Sequence, residues 1–194
     1  MIDVDLNQVT IPLSWPKLFG RDAPTDVEIG SGKGKFLNEL ASAHPDRNIL
    51  AVERSAKYHR LCCERAARRG LENMRLIRTT GEDLLFRLLN GASVDTFYVL
   101  FSDPWPKKRH HKRRFFTPDN VAAMQRALSP GGRLLAKSDH DAYAVVIAEV
   151  LGSASGFTAI DPEEAFAGLP QTGFEHKYLV DGRTIHTFAL EKKA

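Results

Sequence analysis

Apolar residues in this chain come in short runs broken by glycine, proline and polar clusters, and two periods alternate along it. Asp26–Ile29, Asn48–Val52, Met74–Arg78, Phe97–Phe101 and Arg133–Ala136 are continuous or alternating in apolar residues and read as strands. Between them the period changes to that of a helix. Phe36, Leu37 and Leu40 share one face up to His44-Pro45. Residues 55 to 69 turn Leu61 and Ala66 inward and Lys57, Arg60, Arg65, Arg68 and Arg69 outward, closing at Gly70. Leu84, Leu85, Leu88 and Leu89 predict a third helix, and Val121, Met124 and Leu128 a fourth, opened by Thr117-Pro118 as cap and first turn. Ser129-Pro-Gly-Gly132 predicts a turn, residues 141 to 151 a helix, and Thr184–Leu190 an alternating strand that closes the sheet antiparallel.

Strand and helix in alternation predict an α/β fold, a mostly parallel sheet with helices on both faces. At 194 residues and 43% hydrophobic, the chain supplies one full core. Residues 1 to 24 hold Pro12, Trp15, Pro16 and Pro24 without a sustained period. They are expected to form an irregular lead-in to a single domain over 25–194. The acidic start, Met1-Ile-Asp-Val-Asp5, and the lack of any apolar run of bilayer length predict a soluble cytoplasmic protein with no membrane partner.

Charge singles out one segment. Lys107–Arg114 contains six Lys or Arg, two His and no acid, whereas the rest of the chain has 21 basic against 24 acidic residues. Such a run is ordinarily a solvated loop or a localisation signal. Here it follows Phe101-Ser-Asp-Pro-Trp-Pro106, where a strand ends on a carboxylate and two prolines stiffen an aromatic corner. In open α/β sheets that strand edge is where ligands bind, so the combination predicts a polyanion cradle beside a reactive acid.

The glycine stretch after the first strand narrows the ligand. A phosphate-binding P-loop needs a hydroxyl residue where Phe36 stands, and the dinucleotide pattern starting at Gly30 needs glycine where Lys35 stands. What remains is acid-x-Gly-x-Gly-x-Gly from Glu28 through Gly30, Gly32 and Gly34. A carboxylate there repels phosphate and suits a cationic ligand. Glu53 ends the second strand nineteen residues after Gly34, about where an acid meets a ribose diol. Cys62 and Cys63 are adjacent, which disfavours a mutual disulfide, and neither they nor His110-His111 are given partners at metal-ligand spacing by this reading. No metal site is predicted.

Glu28-Ile-Gly-Ser-Gly-Lys-Gly34, Glu53, Asp103-Pro-Trp-Pro-Lys followed by Lys-Arg-His-His-Lys-Arg-Arg114, Leu128-Ser-Pro-Gly-Gly132, Ser138-Asp139 and Thr172-Gly-Phe-Glu175 together resemble the bacterial tRNA guanine-N7-methyltransferase family. The likeness spans about residues 25 to 190. It implies a Rossmann-like class I methyltransferase with a seven-stranded sheet that uses S-adenosylmethionine to methylate N7 of the variable-loop guanine of tRNA. Glu28, Gly30, Gly32, Gly34, Glu53, Thr80, Gly81, Glu82 and Asp103 are then expected to line the cofactor, with Asp103 as the catalytic carboxylate. Lys107, Asp139 and the turn Thr172, Gly173, Phe174, Glu175 are expected to contact the guanosine, and Lys108, Arg109, Lys112, Arg113 and Arg114 the RNA backbone.

The chain departs from the family pattern at Thr80-Gly81, usually Asp-Ala, at Ser102, usually proline or alanine, and at His140, often aromatic. Asp-Pro-Trp-Pro is also similar to the Asp/Asn-Pro-Pro-Tyr/Trp motif of exocyclic-amine methyltransferases, with the aromatic one place early. A non-catalytic RNA-binding module and a nicotinamide dehydrogenase are further alternatives. The first is disfavoured by the intact glycines with Glu28 and Glu53, the second by Lys35 and the basic run.

Overall fold

The computed structural model describes residues 2–194. Its centre is one seven-stranded sheet built from β1 (Thr25–Ile29), β2 (Asn48–Val52), β3 (Met74–Ile77), β4 (Val94–Leu100), β5 (Leu128–Ser138), β6 (Phe157–Ala159) and β7 (His186–Lys192), in the spatial order 3-2-1-4-5-7-6. The first five strands run parallel; β7 pairs antiparallel with β5 on one side and β6 on the other. Because β1 lies between β2 and β4, the connections diverge there and leave a crevice at the C-terminal strand ends.

Alternation along the strands feeds two cores. Val27, Ile29, Leu50, Val52, Phe97, Val99, Leu134 and Ala136 face one cluster, which also takes in side chains of α1 (Trp15–Phe19), α5 (Pro118–Ala127) and α6 (Asp141–Gly152). Ile49, Ala51, Tyr98, Leu100 and Leu135 face the other, with α2 (Lys35–Ala43), α3 (Ala56–Arg68) and α7 (Pro162–Phe166). The run after β3 is a single turn, α4 (Gly81–Asp83), that widens into a π-helical stretch over Leu84–Leu88, and the last helix is α8 (Gly173–Val180).

Several local readings change. In α3 the inward residues are His59, Cys62 and Ala66, while Leu61 is only half-buried, because the helix rotates to pack the small Cys62 under the glycine loop. Ser129–Gly132 does not break the strand. Leu128 pairs with Val94, the register shifts, and pairing resumes at Arg133↔Thr96, so the turn residues arch out of a continuous β5. The lead-in sends Trp15 and Phe19 into the core, with the Trp15 indole N–H donating to the Ser93 carbonyl. Farther upstream, Val4 N–H donates to the Leu76 carbonyl at 3.0 Å and Leu76 N–H to the Ile2 carbonyl at 2.8 Å, so residues 2–4 run along the outer edge of β3.

Candidate active site

A cavity of about 370 Å³ opens at the C-terminal ends of β1, β2 and β4. Gly30, Gly32, Glu53, Thr80, Gly81, Glu82, Asp103, Trp105, Arg113 and Phe174 are among its lining residues. Residues singled out from sequence on five separate segments thus line one cavity, whereas Lys107, Asp139, Thr172, Gly173 and Glu175 are not part of its lining. Glu28 and Gly34 lie beneath this lining.

The glycine loop needs glycine for two different reasons. Gly30 and Gly32 have φ of +85° and +52° with open space where a Cβ would stand, so there it is backbone conformation that favours glycine. At Gly34, with φ of +74°, an added Cβ would lie 2.2 Å from Cys62 Sγ, so glycine also permits α2 to start against α3. Glu53 clamps the loop from the tip of β2. One of its carboxylate oxygens accepts from Gly32 N–H at 2.8 Å and the other from Ser55 N–H at 2.7 Å, while Ser55 caps α3 through Tyr58 N–H. Each oxygen keeps a further lone pair for a ligand hydroxyl.

Under this loop, three buried side-chain oxygens have no hydrogen-bond partner: Glu28 Oε2, Ser31 Oγ and Asn38 Oδ1. Burial, reinforced by the negative charge of Glu53, pushes the Glu28 carboxyl up to about 8. A buried acid short of a partner beside an open glycine turn fits a cationic group, and the nearby Glu53 carboxylate fits a diol. The residues present therefore match the donor and acceptor set of S-adenosylmethionine.

The wall after β3 is tightly built. Thr80 Oγ1 accepts from Asp83 N–H, Thr79 donates to Asp83 at 2.6 Å, and Asp83 pairs with Arg87, whose guanidinium holds the carboxyl below its usual range. Thr80 is thus a helix cap. A Cβ on Gly81 would meet Ile29 and Phe115 at 2.6 Å, so only backbone is presented there, and the exposed Glu82 supplies the carboxylate of this wall.

On the opposite rim the chain leaves β4 through a sharp bend. Phe101 and Trp105 have φ of +59° and +43°, uncommon for residues with side chains, and between them Asp103 is exposed at the cavity edge. The basic run winds into a 3-10 turn over Lys108–Arg113. Its charges divide into two groups. Arg114 Nε donates to the Pro104 carbonyl at 2.8 Å and its guanidinium lies 5.0 Å from the Tyr143 ring, so it buttresses the corner. Arg113 lies over Trp105, also at 5.0 Å, and reaches the cavity. Lys107, Lys108, Arg109 and Lys112 are exposed, and among the described residues no carboxylate pairs with any of the six.

The third side is formed by α8. Thr172–Glu175, read from sequence as a turn, is the start of this helix. Thr172 Oγ1 accepts from Glu175 N–H, and the Glu175 side chain accepts from Thr172 N–H. Both side chains are buried, whereas Gly173 and Phe174 are exposed and Phe174 lines the cavity. Glu175 also pairs with Lys137 at 2.5 Å, and Asp139 with Arg183 at 2.8 Å. Arg183 and Tyr178 were not singled out from sequence, and Lys137 was given no role there. Only Lys137 left a signal: a lysine ending the apolar strand Leu134-Leu-Ala136 calls for a buried counter-ion.

Neither cysteine is among the residues lining this cavity. Burial raises the Cys62 thiol to about 12 and the Cys63 thiol to about 11. Contrary to the sequence reading, Cys63 does have partners at ligand spacing. His59, one helical turn back, and Asp3 bring donor atoms within 4.8 Å, in a cavity that shares no residue with the first.

A glycine-loop cavity at the switch point of a sheet ordered 3-2-1-4-5-7-6 is the architecture of Rossmann-like methyltransferases. The fold is shared with the 16S rRNA methyltransferase KamB (TM-score 0.62, 20% identity, 92% of this chain and 91% of that one) and with TrmN from Thermus thermophilus (TM-score 0.61, 19% identity, 91% and 46%). Residues 22–188 match a family model described as "Putative methyltransferase". The tRNA (guanine-N(7)-)-methyltransferase of Nitrosomonas eutropha is 37% identical over 94% of this chain and 83% of its own, and that of Nitrosococcus oceani 39% identical over 91% and 75%. This chain belongs to the tRNA (guanine-N(7)-)-methyltransferase family.

Proposed function

We propose that this protein methylates N7 of the variable-loop guanine of tRNA, in the cytoplasm, through the cavity between the glycine loop and Asp103. It is an S-adenosylmethionine-dependent methyltransferase acting on guanine N7 of tRNA. When bound, the cofactor supplies an electrophilic methyl group on a sulfonium. Glu53 and the backbone of Gly32 are assigned to its ribose, Glu28 to its cationic end, and the Gly81 backbone with Glu82 to its adenine.

Guanine N7 has an in-plane lone pair and no proton, so the residues need not remove one, and the proposed step uses no metal. Their task is alignment and charge. Holding two reactants in line supplies roughly 7 to 11 kcal/mol of the barrier. Transfer leaves the purine cationic, and Asp103 at the rim is assigned to hold the N1/N2 edge of the base while offsetting that charge.

The base must leave its stack to reach this depth. Arg113 lines the opening, and the unpaired charges of Lys107, Lys108, Arg109 and Lys112 lie on the same basic turn and suit the flanking phosphates. The single observation that carries the reading is this adjacency of Asp103, the glycine loop and an uncompensated basic rim. Incubating unmodified tRNA with labelled S-adenosylmethionine, then cleaving chemically at 7-methylguanine, tests it. One cleavage in the variable loop is the expected result; label on an exocyclic amine would overturn it.

A further inference from the structure

Lys137 is the next-to-last residue of β5 and takes no part in lining the cavity, yet it is 8% exposed and its ammonium meets Glu175, itself 7% exposed, at 2.5 Å. The same ammonium lies 4.4 Å from the Phe166 ring of α7. The other oxygen of Glu175 accepts from Thr172 N–H at 3.3 Å, and Thr172 Oγ1 accepts from Glu175 N–H at 2.8 Å. One lysine thus joins a central strand, α7 and the first turn of α8. That turn carries Phe174, 53% exposed, into the cavity also lined by Asp103 and Gly32.

We propose that Lys137 is a positioning residue for methyl transfer, which through Glu175 fixes the first turn of α8 so that Phe174 meets the target base opposite the glycine loop. The proposal rests on the function given above. Two charges taken out of water are tolerated only when they face each other, so a displaced α8 would strand both. The other ties at this helix are less restrictive: Asp139–Arg183 lies just past its C-terminal end with the arginine 50% exposed, and Phe101–Tyr178 is an aromatic edge contact at 5.6 Å. The buried pair therefore selects one placement of α8. It also holds Glu175 in place, so that Thr172 and Glu175 together build the start of the helix.

The test uses the full chain, unmodified tRNA and S-adenosylmethionine. Lys137→Met is expected to lower kcat/KM for tRNA by on the order of 100-fold, the effect of ångström-scale misplacement, while S-adenosylmethionine affinity is unchanged. Lys137→Arg should recover part of that loss. Because a lone buried carboxylate destabilises the fold, Lys137→Met with Glu175→Met is measured too; it should restore Tm without restoring kcat/KM. Activity returning together with Tm in the double variant, or loss of cofactor affinity in Lys137→Met, would overturn the proposal. So would full activity of Lys137→Met beside an active parent protein. A parent that leaves guanine N7 unmethylated would instead overturn the function on which the proposal rests.

Discussion

Gly34 and Cys62 are packed so closely that a single methyl group on residue 34 would lie 2.2 Å from the Cys62 sulfur. The glycine loop is therefore held from below by a side chain of α3 as well as shaped by its own backbone. Gly34→Ala adds this overlap to an unfavourable φ of +74°, and a loss of about 2 to 4 kcal/mol is expected in urea unfolding. Adding Cys62→Ala should recover the steric part, so that the double variant is less destabilised than the sum of the two singles.

Glu28 makes stability and binding depend on pH. Its carboxyl titrates near 4.5 when unperturbed and at about 8 in the folded chain. Between those values the folded state holds a proton that the unfolded state has released, so stability falls as pH rises from about 4.5 to 8 and levels off above. Glu28→Gln should flatten that slope in denaturant titrations across the same range. A cationic ligand should also expel the proton, so S-adenosylmethionine binding near pH 6.5 is expected to release it. Calorimetry in buffers of different ionisation enthalpy reads this directly, and a buffer-independent heat would remove Glu28 from the cofactor site.

Asp103 stands at the cavity rim and makes no ion pair among the described residues. Asp103→Ala should lower kcat by at least about 10² to 10³ while tRNA still binds, because what it removes is charge opposite the developing purine cation. Single-turnover methylation with saturating tRNA checks this. Unchanged turnover would remove Asp103 from the chemistry.

The basic rim should divide by function. Neutralising Lys108, Arg109 or Lys112 is expected to reduce the slope of log K against log salt by about 0.7 to 0.9 for each phosphate left without its cation. Arg114→Ala should behave differently, lowering Tm and turnover, since its guanidinium braces Pro104 and Tyr143. A loss confined to salt-dependent affinity in Arg114→Ala would contradict that division.

How much of this was legible in the sequence depends on how local the cause was. Strands β1 to β4 are bounded apolar runs, and the glycine loop, Glu53 and Asp103 follow from their positions at strand ends. Strand β6 is three residues long, with only Phe157 buried, and leaves no period to read. Helix α8 has a capping box in plain view at Thr172 and Glu175, but Phe174, Leu179 and Val180 are exposed, so no apolar stripe announced a helix. The partners of Lys137 and Asp139 lie 38 and 44 residues away, a separation that no local pattern encodes. Arg114 looked like its neighbours because charge alone cannot tell a brace from a free cation.

The short strand pairing of residues 2–4 with Leu76 bears on behaviour at high concentration. It takes up both backbone hydrogen-bonding groups of Leu76 on the outer side of β3, while the sheet's other margin, β6, is too short to template a neighbour. Removing the first few residues would uncover that margin, and self-association through added strands is the hazard such a truncation would create.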